Sequence, residues 1–289
     1  MGNRGVPNLG GYRYWLLLAS FSFIFLSLSA CHQKNNDTAG LPTEAATPQI
    51  VNATNVVEKS DLSQIAVLIF IELPDGFSSL CTGVLLDDHY ILSAAHCKSE
   101  DAVKMYAMFS KDFYEMESDE VYDISEIYIH PDYKPRGAGV AFGYRNDIAL
   151  YQLSKPAPKN HIRTKIFDDQ KMPPRFEFWA LGYGASTGEN IDDSGEGVLR
   201  QKTLHARDYS NDLPYFMVHQ KQGGVCIGDS GGPALIKRGS SYYVVGTVSS
   251  ALYGSNQDRC SSEAIYMNSQ YYVSWIKSII SSFESKKPF

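Results

Sequence analysis

The chain has 289 residues, 44% of them hydrophobic and 20% charged, enough for one large domain or two lobes sharing a core. That composition excludes a disordered chain. Its formal charge is −6 with no run of basic residues, so no nucleic-acid partner is expected, since such partners select clustered Lys and Arg.

Residues 1–30 read as an export signal. Arg4 and Arg13 precede an apolar stretch, Trp15 to Ala30, that is short and Ser-rich for a membrane span of about 20 residues. The stretch ends in Leu28-Ser29-Ala30-Cys31, which resembles the bacterial lipoprotein box, where the cysteine is acylated and becomes the mature N-terminus. Ordinary signal cleavage after Ser29 and an uncleaved anchor are the competing readings. The cysteine count favours lipidation. Of the five cysteines (Cys31, Cys81, Cys97, Cys226 and Cys260), acylation of Cys31 leaves four for two disulfides, which an exported protein is free to form. The expected location is therefore the outer face of a bacterial membrane, periplasmic or cell-surface, with release to the medium if the tether is cut.

Residues 31–49 carry the lipidation cysteine and a polar, aperiodic stretch that reads as a flexible tether or propeptide. From about Ser63 the texture changes to short β-branched or alternating runs: 64–72, 80–86, 90–94, 103–109, 121–129, 148–153, 176–182, 198–206, 215–219, 233–237, 242–250 and 264–268. Turn signals such as Leu73-Pro74-Asp75-Gly76 separate them, which predicts an all-β sandwich, a barrel or a pair of barrels. One helix is expected near the end, where Tyr272, Trp275, Ile276, Ile279 and Ile280 share an apolar face, with residues 284–289 as a tail. The acidic loop 187–197 has ligand spacing too irregular for a calcium loop and reads as a solvated turn. Histidines at His32, His89, His130, His161, His205 and His219 lack paired ligand spacing, so neither a metal nor a cofactor is expected.

Three short segments carry chemistry. Gly228-Asp229-Ser230-Gly231-Gly232-Pro233 sets a serine among glycines that let the backbone turn sharply and approach a substrate. Backbone N–H groups of Gly228 and Ser230 would face the oxyanion formed in acyl transfer. His96, in Leu92-Ser93-Ala94-Ala95-His96-Cys97, supplies a base, and Asp147, in Asn146-Asp147-Ile148-Ala149-Leu150, supplies an acid at the mouth of an apolar strand. A carboxylate bonded to the imidazole fixes the tautomer that leaves the other ring nitrogen free to accept the seryl proton.

In the order His, Asp, Ser these segments resemble the chymotrypsin-like (trypsin-family) serine endopeptidases over about residues 50–282. Cys81-Thr82-Gly83, His130-Pro131-Asp132-Tyr133, Leu181-Gly182-Tyr183-Gly184 and Gly246-Thr247-Val248-Ser249 add to the likeness. The resemblance implies two packed six-stranded antiparallel β-barrels with a C-terminal helix over residues 50–283, and a triad of His96, Asp147 and Ser230 between them. It implies disulfides Cys81–Cys97 and Cys226–Cys260, protein or peptide substrates, protein inhibitors as candidate partners, and no cofactor. It places Gly224 at the floor of the primary pocket and Ser249, Ala251 and Ala264 along its walls. Without an acid at the floor a Lys or Arg side chain would lose its buried partner, so cleavage after small or medium apolar residues is expected, although Glu263 is a nearby acid. It also implies an activation pair, in which a new N-terminus at Ile50 pairs its ammonium with Asp229, although Gln49 is not the basic residue usual before such a cut. Tyr183 stands where Trp is usual, and Ser250-Ala251 replaces Trp-Gly. A catalytically inactive, protease-like binding module is the rival from another class.

Overall fold

Burial on both faces explains the unbroken apolar run of the first long strand, where Ala66 and Leu68 face one core cluster and Val67, Ile69 and Ile71 another. The computed structural model describes residues 50, 53–56, 60–76, 78–136, 145–168, 172–186, 195–252, 260 and 262–285, all within the unit 46–289. The export signal, Cys31, the tether and residues 187–194 of the acidic loop lie outside the described residues.

The strands in chain order are β1 (Thr54–Asn55), β2 (Ala66–Glu72), β3 (Ser78–Leu85), β4 (Tyr90–Ser93), β5 (Lys104–Met108), β6 (Val121–Ile129), β7 (Ala149–Leu153), β8 (Lys165–Ile166), β9 (Glu177–Gly182), β10 (Arg200–Arg207), β11 (Tyr215–His219), β12 (Pro233–Arg238), β13 (Ser241–Leu252) and β14 (Glu263–Asn268). Strands β2-β3-β4-β7-β6-β5 close into one barrel. Strands β9-β10-β11-β14-β13-β12 form the second, closed by pairing of β12 and β10 with β9. Both rings are antiparallel, as expected from the sequence. The two-residue strands β1, antiparallel to β10, and β8, parallel to β13, were not foreseen, because neither is long enough to show a period.

Each barrel has its own core, built around Val67, Ile69, Ile91 and Tyr151 in the first and Phe178, Phe216, Val245 and Tyr266 in the second. A third cluster, with Leu68, Leu92, Leu150, Leu181, Tyr183 and Ile265, lies between them. Helix α1 (Val273–Glu284) packs Ile276 into this shared cluster and ends one residue beyond the boundary read from the sequence. Tyr183, in place of the usual Trp, is fully buried and its hydroxyl donates to the Ser110 carbonyl at 2.7 Å, tying one barrel to the other. The turn after β2 forms at Leu73–Gly76, where Gly76 N–H returns to the Leu73 carbonyl at 3.2 Å.

Disulfides join Cys81 to Cys97 and Cys226 to Cys260. The first closes a loop of sequence separation 16, which by chain entropy stabilises the fold by about 3 kcal/mol. The double substitution Cys81→Ser/Cys97→Ser is expected to lower unfolding stability by about that amount in urea titration. An unchanged midpoint would show that the loop is held by its other bonds alone.

Candidate active site

Asp147 is completely buried and occupies a tight three-residue turn in which Ile148 N–H donates to the Asn146 carbonyl at 2.9 Å. Asn146 enters that turn with φ +48°, a conformation asparagine tolerates. Its side chain is fixed at both ends: its amide donates to the Asp132 carbonyl at 2.9 Å, and its oxygen accepts from the Tyr272 hydroxyl at 2.8 Å. One Asp147 oxygen accepts from His96 N–H at 2.9 Å. The other lies 2.7 Å from His96 Nδ1 and 2.7 Å from the Ser249 hydroxyl, which donates to it. Two consequences follow. The imidazole holds its proton on Nδ1, so Nε2 is the basic nitrogen. Ser249, read from the sequence only as a pocket wall, also completes the shell of the carboxylate.

Ser230 sits in a loop fastened to both barrels. Its carbonyl accepts from Thr82 N–H at 2.8 Å, and Gly231 N–H donates to the Val248 carbonyl at 2.7 Å. Gly231 has φ +78°, and a Cβ there would fall 1.9 Å from the Ser93 hydroxyl oxygen. The Gly228 carbonyl accepts from the Thr82 hydroxyl at 3.0 Å. The Ile227 carbonyl accepts from Ala185 N–H at 2.7 Å, and in a trans peptide the Gly228 N–H must point the opposite way. Neither Gly228 N–H nor Ser230 N–H has a backbone acceptor among the described residues. Thr82 gave no functional signal in the sequence; its role depends on a partner 146 residues away.

His96, Ser230, Gly228, Ser249 and Ala251 line one cleft of about 430 Å³, with Arg136 at its margin. Gly224 and Ala264 are buried and are not among its described lining. Glu263 turns away and pairs with His219 Nδ1 at 3.0 Å on the neighbouring strand. Cys81, His96 and Cys97 cluster closely enough to suggest a metal site, but the disulfide consumes both thiols.

Asp229 is the second fully buried carboxylate. One oxygen accepts from Gly184 N–H and the other from Cys226 N–H, both at 2.8 Å. Among the described residues no cation bonds to it directly. Burial pushes its carboxyl up to about 7, against the pull of those two N–H groups and of the Arg200 guanidinium, while Glu196 pushes it higher. Arg200 is itself buried; it donates to the carbonyls of Gly184, at 2.8 Å, and Gly195, and its Nε has no partner among the described residues. Nothing in the sequence distinguished this arginine from a surface residue of a strand. Ile50 is buried with φ +23°, strained for a β-branched residue.

Two closed β-barrels with a His–Asp pair and a glycine-flanked serine in the cleft between them define a chymotrypsin-like serine protease fold. The Trypsin family model matches residues 51–276, and the chain belongs to that family. It is 29% identical over 227 residues to phenoloxidase-activating factor 3 of Holotrichia diomphalia, covering 68% of this chain and 63% of that protein. It is 26% identical over 264 residues to vitamin K-dependent protein C of Mus musculus, covering 81% of this chain and 52% of that one. The chain thus spans between about half and two thirds of the length of these relatives.

The raised Asp229 carboxyl sets a pH dependence. Its folded value of about 7 lies above its ordinary 3.8, so the folded chain holds this proton more tightly than the unfolded one. The stability it contributes is complete below about pH 4 and is lost as pH rises through 7. Urea unfolding of the uncleaved chain should show a slope from this group of up to about 1.4 kcal/mol per pH unit between pH 4 and 7. Asp229→Asn should remove that component, and an identical slope in both proteins would refute the assignment.

Proposed function

We propose that the chain is an exported serine endopeptidase that cuts peptide bonds through Ser230, His96 and Asp147. The observation that carries this reading is the 2.7 Å contact of a buried carboxylate with His96 Nδ1, in a cleft that Ser230 shares. His96 Nε2 takes the Ser230 proton as the oxygen attacks the substrate carbonyl. Asp147 keeps the imidazole in the required tautomer and stabilises the imidazolium that results. The N–H groups of Gly228 and Ser230 receive the oxyanion. His96 then protonates the leaving amine, and water releases the acyl group from Ser230 by the same route in reverse. Ala251 on the cleft wall, and the absence of an acid at Gly224, support cleavage after small or medium apolar residues.

Anchoring and activation complete the reading. An acyl group on Cys31 holds the protease to the membrane through residues 32–49, the segment read from the sequence as a tether. Cleavage between Gln49 and Ile50 frees the domain from that anchor and creates an ammonium for Asp229. Two features support this. Among the described residues the buried Asp229 carboxyl has no directly bonded cation, and the strained φ of Ile50 is a torsion about a residue whose preceding peptide bond would be broken. Arg200 favours a second reading, in which an internal cation serves Asp229 while the chain stays tethered.

Ser230→Ala should lower turnover by roughly 10⁶ and Asp147→Asn by roughly 10⁴, magnitudes carried over from other proteases with this triad. His96→Ala should resemble the serine variant. Fluorophosphonate labelling should fall on Ser230 alone, and an unlabelled wild type would favour the inactive binding module. Cys31→Ser should move the protein from the membrane fraction or stall its processing, and unaltered attachment would refute lipidation. N-terminal sequencing of active enzyme decides the activation route: full activity in chains still beginning at Cys31 supports Arg200, and a start at Ile50 supports cleavage.

A further inference from the structure

Behind the cleft lies a buried side chain that neither the triad nor the pocket positions read from the sequence include. Gln220 follows β11 and is completely buried. Its backbone N–H donates to the Ser262 carbonyl at 3.0 Å, and its carbonyl accepts from Gly223 N–H at 2.8 Å. Its side-chain Nε2 donates to the carbonyls of Val225 and Cys260, at 3.1 and 3.2 Å, while Oε1 accepts from Val225 N–H at 2.7 Å. Both amide hydrogens are therefore committed, and the amide plane joins the segment before the nucleophile to the segment carrying Cys260.

The amide occupies the volume that a side chain at position 224 would need. A Cβ on Gly224 would fall 2.2 Å from Gln220 Oε1 and 2.4 Å from its Cδ, so the missing side chain at Gly224 is what admits the amide. The two positions form a complementary pair. Consistently, the described lining of the cleft includes Cys226 and Cys260, the neighbours of the amide, and does not include Gly224. Swinging the amide aside for a large substrate side chain would strand two buried carbonyls and one buried N–H, which is strongly unfavourable.

We propose that Gln220 is a specificity-determining residue, its amide closing the base of the primary pocket and restricting the residue before the scissile bond to glycine, alanine, serine or valine. This rests on the endopeptidase reading above and names the substrate class for that same site.

The test compares wild type, Gln220→Gly and Gln220→Met on peptide p-nitroanilides that differ only in having Ala, Val, Leu or Phe before the scissile bond. Values of kcat and KM are measured separately, with active sites counted by fluorophosphonate labelling. Wild type should favour Ala over Phe. Gln220→Gly should raise the Phe-to-Ala ratio of kcat/KM by about tenfold or more, mainly through KM for Phe. Methionine keeps most of the side-chain volume without the hydrogen bonds, so Gln220→Met should shift the ratio much less than Gln220→Gly; a purely structural role would instead move both variants alike. Gln220→Ala replaces the glycine variant if that protein does not fold. A labelled wild type that cleaves after Phe as readily as after Ala overturns the proposal, and so does an unchanged ratio in the opened variant. A wild type that neither labels nor cleaves sinks the endopeptidase reading itself.

Discussion

The rest of the site depends on a carboxyl group buried between two barrels. Asp147 is taken wholly out of water, a state tolerated only when donors replace the lost hydration. Two of its three donors, His96 N–H and Nδ1, follow β4 of the first barrel, and the third, Ser249, belongs to β13 of the second. The carboxylate is thus satisfied only when the barrels are correctly packed. The C-terminal helix joins the same chain of support, because Tyr272 at its start holds Asn146, which holds the turn of Asp147. Barrel packing, helix docking and imidazole orientation are consequences of one desolvated group.

The two buried aspartates show how partners decide what a carboxylate does. Asp147 has the His96 imidazole against one oxygen, a backbone N–H on the other and a hydroxyl besides, so both oxygens are bonded to donors. Asp229 has two peptide N–H groups, with Arg200 acting only at a distance, and its proton is correspondingly hard to remove. The first is complete in the uncleaved chain. The second lacks a directly bonded cation among the described residues, which is why the proposed activation assigns it one.

Much of this was legible in the sequence because it is local. The strand runs, the terminal helix and the segments around His96, Asp147 and Ser230 each carry their signal within a few residues. What could not be read there depends on contacts between distant residues. Thr82 is an ordinary strand threonine until β3 brings it against Gly228. Glu263 looked like an acid near the primary pocket, but the register of β11 against β14 aims it at His219. Arg200 and Gln220 have polar side chains on segments whose exposure no pattern revealed, and both are turned inward. Ser249 was read as a substrate-binding residue, and its bond to Asp147, which spans 102 residues, became visible only in the fold.

Position 226 joins these strands of argument. Cys226 N–H holds Asp229, its sulfur is bonded to Cys260 on the cleft wall, and Val225 just before it is bonded by Gln220. Four residues later the same segment carries the nucleophile. A rearrangement of Asp229 would therefore bear on Cys226, and through it on the disulfide and on Val225, which the Gln220 amide holds. The peptide that aims Gly228 N–H at the cleft lies between these fixed points, anchored by Ala185 on one side and Thr82 on the other. On the proposed function, substrate fit and oxyanion stabilisation would therefore be properties of one braced loop, and a charge placed beside Asp229 would act on both together.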